Sequence, residues 1–254
     1  MAWLRVSFLF QNLRNIAMRE SVFRFKKFSL HHNLCPMPIS TDGVLLGAWV
    51  DVCDTKNVLD IGTGCGLIAL MIAQRNQDAA IDAIDIHPGA IQQATQNFNE
   101  SPWSNRLNCD LTDFLEYAVL TNKTFDLIVS NPPFYTEDTK SPDVARANAR
   151  NASSLPLNHL IEAAAKMLNP NGRLCLITPA SIKDDIEEAA LKAGLYVHRT
   201  TFVNPTPDLT PHRILWQLGN EKRDKDIDEL TIEISRHVYT QDYINLTKDF
   251  YLKM

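Results

Sequence analysis

Between residues 58 and 218, apolar runs of strand length alternate with runs of helical spacing, and no other feature narrows the possible folds as far. Val58-Leu-Asp-Ile61 reads as a strand, Leu67 to Gln74 as an apolar helix, Ala80 to Ile86 as a strand and Ala90 to Phe98 as a helix. The order continues with strands at Leu107 to Cys109 and Phe125 to Ser130, a helix at Leu157 to Leu168, a strand at Arg173 to Thr178 and a helix at Ile182 to Ala193. A final pair, Leu195 to Val203 and Arg213 to Leu218, closes the series. Such alternation predicts an α/β chain, a doubly wound and mostly parallel sheet with helices on both faces, because parallel neighbours need a crossover between them. Beyond it, Glu221 to Asp228 reads as a solvated charged turn, Leu230 to Ile234 as a strand and Asp242 to Leu252 as a weak terminal helix.

With 254 residues, 45% of them hydrophobic, the chain can bury a full core. No stretch supplies the roughly 20 uninterrupted apolar residues that a bilayer span needs, so no membrane contact is expected. Cys35, Cys53, Cys65, Cys109 and Cys175 are odd in number and without close pairs, which argues against a disulfide framework or a zinc site and for a reducing cytoplasm without a metal.

The net charge of −5 does not advertise a nucleic-acid partner, but its distribution is uneven. Residues 1 to 41 carry Arg5, Arg14, Arg19, Arg24, Lys26 and Lys27 against Glu20 alone, +5 in all, leaving −10 elsewhere. Phe23-Arg-Phe-Lys-Lys-Phe28 alternates aromatic and basic residues, the pattern of an edge strand with a basic face, and aromatic with basic side chains suits single-stranded RNA. Arg24, Lys26 and Lys27 are therefore RNA candidates, with a solvated arm lacking any partner as the alternative. Residues 1–17 make a poor secretory signal and are read as a start-site artefact, translation beginning at Met18. The expected division is a basic arm and edge strand over 1–38 and a single larger domain over 39–254.

Two stretches carry chemistry. Gly62, Gly64 and Gly66 sit between the first strand of the alternation and its helix, where glycine lets the backbone turn tightly and approach a ligand. Asp85 ends the next strand, nineteen residues after Gly66, placed to accept from both hydroxyls of a ribose. A nicotinamide site spaces its glycines differently, Gly-x-Gly-x-x-Gly, so the pattern leans away from a dehydrogenase. Asp60 either holds this loop or faces a cationic amino group; Asp113 either accepts from an adenine amine or caps the helix that follows.

The second stretch, Phe125-Asp-Leu-Ile-Val-Ser-Asn-Pro-Pro-Phe134, is a strand that stops at Asn131, because neither Pro132 nor Pro133 can donate a ladder hydrogen bond. The prolines stiffen a corner bearing fixed acceptors, and Phe134 adds a flat face, a combination suited to a planar group bearing an NH2. An ordinary strand exit is the duller alternative. Upstream, Ser40, Thr41 or Asp42 is a candidate N-cap for a helix running to Trp49.

Asp60, the three glycines, Asp85, Asp113 and Asn131-Pro-Pro-Phe134 together resemble the class I S-adenosylmethionine-dependent methyltransferases, and the corner resembles their amino-methylating branch. The resemblance implies a Rossmann-like sheet of seven strands with the last antiparallel. It implies that Gly62, Thr63, Gly64 and Gly66 meet the methionine part of the cofactor, Asp85 and Ile86 its ribose region, Asp113 and Phe114 its adenine, and that Thr41 borders it from upstream. Asn131, Pro132, Pro133 and Phe134 would be catalytic. Adenine N6 and guanine N2 of RNA and the amide of a protein glutamine all present the required NH2, so an RNA guanine-N2 or a glutamine N5 methyltransferase stays open.

Over residues 18–254 the sequence is similar to the bacterial tRNA valine adenine-37 N6-methyltransferase family. Phe25-Lys-Lys-Phe28, Thr41 to Trp49, Ser101-Pro-Trp103, Phe125 to Phe134, Leu209-Thr-Pro-His-Arg213 and Phe250 to Met254 carry that likeness. It implies S-adenosylmethionine as cofactor and the anticodon loop of a tRNA as partner. Phe134 departs from the usual Tyr, which removes a hydroxyl and keeps a stacking face. Arg146, Arg150 and Arg213 are further candidate contacts to tRNA phosphates, or plain surface arginines.

Overall fold

The computed structural model describes residues 22–37, 39–133 and 155–254. Residues 1–17, Met18, Phe134, Arg146 and Arg150 lie outside that set.

Among the described residues twelve strands run in chain order: β1 (Val22–Arg24), β2 (Ser29–His31), β3 (Asn57–Ile61), β4 (Ala80–Asp85), β5 (Leu107–Leu111), β6 (Phe125–Ser130), β7 (Leu168–Pro179), β8 (Tyr196–Asn204), β9 (Arg213–Gly219), β10 (Asp226–Thr231), β11 (Glu233–Ser235) and β12 (Val238–Tyr239). The described helices are α1 (Thr41–Trp49), α2 (Leu67–Arg75), α3 (Pro88–Glu100), α4 (Phe114–Leu120), α5 (Leu157–Met167), α6 (Lys183–Lys192) and α7 (Gln241–Thr247).

The main sheet has the order β10-β8-β9-β7-β6-β3-β4-β5. All its pairings are parallel except those of β9, which runs antiparallel to both β7 and β8. This is the Rossmann-like arrangement expected, with a correction: the sheet holds eight strands. The eighth, β10, pairs in parallel with β8 from Asp226 to Thr231, so the last three residues of the expected charged turn, Asp226 to Asp228, are strand. Opposite-sign residues make that pairing hold: Arg199 bridges Asp228 at 2.9 Å, and Thr201 donates to the same carboxylate. The strand expected at 230–234 is thus split between β10 and β11, and the terminal helix is only seven residues long.

Val58, Leu59, Leu127, Ile128 and Val129 are fully buried, as strands covered on both faces must be. One face of the sheet packs against α1 and α2, the other against α5 and α6. Among the described residues no helix is long and apolar enough to cross a membrane.

The expected edge strand at 23–28 is instead a hairpin outside the main sheet. Val22–Arg24 pair antiparallel with Ser29–His31, and the Phe25 amide donates to the Phe28 carbonyl (2.9 Å) across the turn. The reason is packing: Phe25 and Phe28 stack at 4.7 Å and both rings are buried in the core. Lys26 lies at the tip, and its Nζ donates to the Lys248 and Met254 carbonyls at 2.5 and 3.1 Å.

Candidate active site

The carboxyl ends of β3, β4, β5 and β6 form one edge, with Ile61 beside both Ile84 and Ser130, and Asp85 beside Leu111. Three bonds knit this edge before any ligand arrives. The amides of Gly62 and Thr63 both donate to the Ile84 carbonyl (2.9 and 3.0 Å), and Ser130 Oγ donates to the Ile61 carbonyl (2.9 Å).

The glycine turn leaves β3 with positive φ at all three glycines, 70° at Gly62, 56° at Gly64 and 85° at Gly66, a region that L side chains enter at a cost. Their surroundings differ. A Cβ on Gly66 would lie 2.4 Å from the Phe98 ring, so Gly66 is demanded by helix packing, whereas a Cβ on Gly62 or Gly64 would meet nothing within 4 Å. Those two positions face open space at the sheet edge.

Asp60 holds the loop, the first of its two readings. It is buried, and its Oδ2 accepts from Thr63 Oγ1 (2.7 Å) and from the Ala69 amide (3.3 Å). Burial pushes its pKa up to about 7; those two bonds oppose the rise and the Asp85 charge adds to it. Thr63 is itself buried against Asp60, so its side chain is turned away from the open space.

Asp85 receives the Gly64 amide on Oδ2 (2.9 Å) and the His87 amide on Oδ1 (2.8 Å). Each carboxylate oxygen can accept more than one bond, so the group still has capacity for hydroxyls. Ile86 and Leu111 flank it as exposed apolar residues, 49% and 54% accessible. Leu111 escaped the sequence reading because Asp110 interrupts the apolar run and the strand was expected to end at Cys109; its pairing with Asp85 is a property of the sheet alone.

Asp113 is the N-cap of α4, with Oδ1 accepting from the Leu115 and Glu116 amides at 2.8 and 3.2 Å. The Phe114 ring is 3% exposed and lies in the core beneath the sheet, so its face is not offered at the surface. Ser40 caps α1 through its bond from the Gly43 amide (3.3 Å), leaving Thr41 exposed at the first turn. Asp42 pairs with Arg213 at 2.8 Å, so this arginine anchors α1 to β9.

Asn131 is half-buried at the end of β6, Pro132 is buried and Pro133 exposed. Gly43 brings α1 against this corner: a Cβ there would approach Leu67 Cδ2 to 3.0 Å and Asn131 Nδ2 to 4.0 Å. Asn131 therefore stands between the glycine turn and the first turn of α1. The two stretches singled out in the sequence share one edge. Two positive-φ glycines facing open space, an acceptor carboxylate and two exposed apolar side chains fit a ligand with a polar tail, a ribose and a flat base, as S-adenosylmethionine has.

The methyltransferase small domain family model matches residues 43–193. A tRNA1(Val) (adenine(37)-N6)-methyltransferase of Phocaeicola vulgatus is 44% identical over 237 residues, 93% of this chain and 100% of that protein. One of Christiangramia forsetii is 43% identical over 240 residues, with the same coverage of each. Among solved structures, a predicted O-methyltransferase of Agrobacterium tumefaciens has the same fold, at TM-score 0.62 and 19% identity over 82% of this chain and 96% of its own. With this fold, this sheet edge and relatives matched along their whole length, the chain belongs to the tRNA1(Val) (adenine(37)-N6)-methyltransferase family.

Proposed function

We propose that the protein methylates the N6 amine of an adenine in tRNA, adenine 37 in the anticodon loop of a valine tRNA, with S-adenosylmethionine as donor. The observation that carries this is the position of Asn131, at the end of β6 beside the turn that leaves β3. The full-length likeness to relatives bearing that activity in their names supports the choice of adenine over guanine and glutamine.

When bound, the cofactor supplies an electrophilic methyl group on a sulfonium. The chain does the rest. Gly62 and Gly64 admit the methionine part, Asp85 accepts from the ribose hydroxyls, and Ile86 with Leu111 gives apolar surface to the adenine. Backbone at Phe114 and the exposed Thr41 border the same space.

An exocyclic amine is a poor nucleophile, because its lone pair is delocalised into the ring. Asn131 Oδ1 and the Pro132 carbonyl accept its two hydrogens and favour a pyramidal nitrogen with the lone pair restored. The prolines hold those acceptors before the substrate arrives, so the stabilisation needs little reorganisation in the transition state. The aromatic type at position 134, outside the described residues, suits a stacking contact with the base. The alkylated nitrogen then loses a proton to water, and no separate base is needed. An unpaired loop suits this geometry, since the target must leave its stack.

Five free cysteines, and no disulfide among the described residues, support a cytoplasmic site of action. Incubation with methyl-labelled S-adenosylmethionine and total tRNA, followed by nucleoside mass spectrometry, should yield labelled N6-methyladenosine. Labelled N2-methylguanosine, or label in protein alone, overturns the reading.

A further inference from the structure

The Asn131 corner is not the end of the usable sheet edge. Beyond it come the end of β7, the start of β9 and the end of β8, because Pro179 pairs with Arg213 and Val203 with the same residue from the other side. A groove of about 1070 Å³ opens there. Its walls are the first turn of α1, β1, the segment after β8, and the C-terminal residues, none of which belongs to the glycine turn. Arg213 begins the second strand along from β6, which at strand spacing is about 10 Å from the corner.

The lining is chemically uneven. Phe23 is 36% exposed, and Tyr239 and Tyr251 line the groove half-buried. Phe23 is fixed by Phe25 at 4.8 Å and by Tyr251 at 6.2 Å, edge to face, so its orientation is set in advance. Arg24 and Lys253 are exposed at the rim. Of the two acidic side chains in the lining, Asp42 is neutralised by Arg213 and Glu233 is half-buried. Fixed aromatic faces with mobile cations around them bind single-stranded nucleic acid, stacking bases while the cations meet phosphates.

We infer that this groove receives the unpaired tRNA nucleotide next to the target base, stacked on Phe23 and Tyr251 with its phosphates at Arg24 and Lys253. This rests on the tRNA reading above and deepens it. Continuity argues for RNA as the occupant: Ser40, Thr41 and Asp42 line the groove, and Gly43 of the same turn abuts Asn131, so a strand that delivers a base to the corner runs on into the groove. The inference also revises the role of the basic arm. Lys26 ties the hairpin to the C-terminal residues, while Phe23 and Arg24 face the RNA.

The test uses the full chain and an anticodon stem-loop of the tRNA that the wild-type protein methylates. Phe23→Ala, and separately Arg24→Glu, should each raise KM for the RNA by about tenfold, in line with the worth of one stacked base, with kcat and the affinity for S-adenosylmethionine kept within twofold. Phe23→Trp should restore KM. Irradiating wild-type protein with the same stem-loop carrying 5-iodouridine beside the target should crosslink it to Phe23, Tyr239 or Tyr251. Unchanged KM in both variants, or crosslinks confined to other segments, overturns the groove while leaving the adenine reading standing. A wild-type protein that methylates no RNA overturns both.

Discussion

The glycine turn after β3 and the Asn131 corner after β6 lie side by side on one sheet edge, yet they are made rigid in different ways. The turn adopts a conformation that is one of many open to glycine, and a network holds it there: two amides on the Ile84 carbonyl, Thr63 and Ala69 on Asp60, Gly64 on Asp85. The corner is stiff by covalent structure, since Pro132 and Pro133 fix φ without any bond from elsewhere. A network can be loosened through any of its members and through pH. A proline corner answers to neither, so what can be changed there is the chemistry of Asn131 alone.

That contrast gives three experiments, in decreasing size of effect. Asn131→Ala should lower kcat by about a hundredfold to a thousandfold, the worth of one preorganised polar group in a transition state, with the melting temperature and S-adenosylmethionine affinity nearly unchanged. Single-turnover kinetics and calorimetry check this, and a parallel loss of cofactor affinity would move Asn131 into the cofactor half.

Asp85→Ala removes the acceptor for both the Gly64 and the His87 amides. At about 1.5–3 kcal/mol for each bond to a charged group, it should weaken S-adenosylmethionine binding by at least tenfold. Turnover at saturating cofactor should stay within a few-fold of wild type. A variant with normal affinity would show that the turn does not depend on its network.

Asp60→Asn should change how stability depends on pH. The folded carboxyl titrates at about 7, the unfolded one at about 4, so between those values the folded state holds a proton that the unfolded state has lost. The stabilisation from this group is complete below about pH 4, declines as pH rises towards 7 and is level above. Melting curves should therefore show the Asn variant gaining on wild type by a few degrees from pH 4 to 7, with the difference constant beyond. A gap that widens above pH 8 instead would place the effect on another group.

Much of the edge was legible in the sequence because its parts are local. Three glycines within five residues impose their turn wherever they occur between a buried strand and a helix, and Asn-Pro-Pro ends a strand without help. Asp60 and Asp113 were ambiguous for the opposite reason. Each had two partners within reach of the same backbone, and only the folded chain shows that Asp60 is buried against its loop and that Asp113 caps α4 through Oδ1. That the Phe114 ring is buried, leaving only its backbone at the edge, could not be read from the chain, because the face a helix buries depends on where the sheet lies. The Phe23–Phe28 stretch was read as one strand although the strand stops at Arg24, because the turn that brings Phe25 and Phe28, three residues apart, into the same core is set by packing and not by local alternation.

The sequence by itself determined the alternating α/β architecture, the glycine turn and the stiff Asn131 corner, all consequences of a few neighbouring residues with restricted torsions. Tertiary structure alone decided the eighth strand, the meeting of Leu111 with Asp85, the Asp42–Arg213 tie and the groove between β1 and the C-terminal residues. Those join positions up to some two hundred residues apart, and such pairs are chosen by how the whole core packs, which no short window of the chain contains.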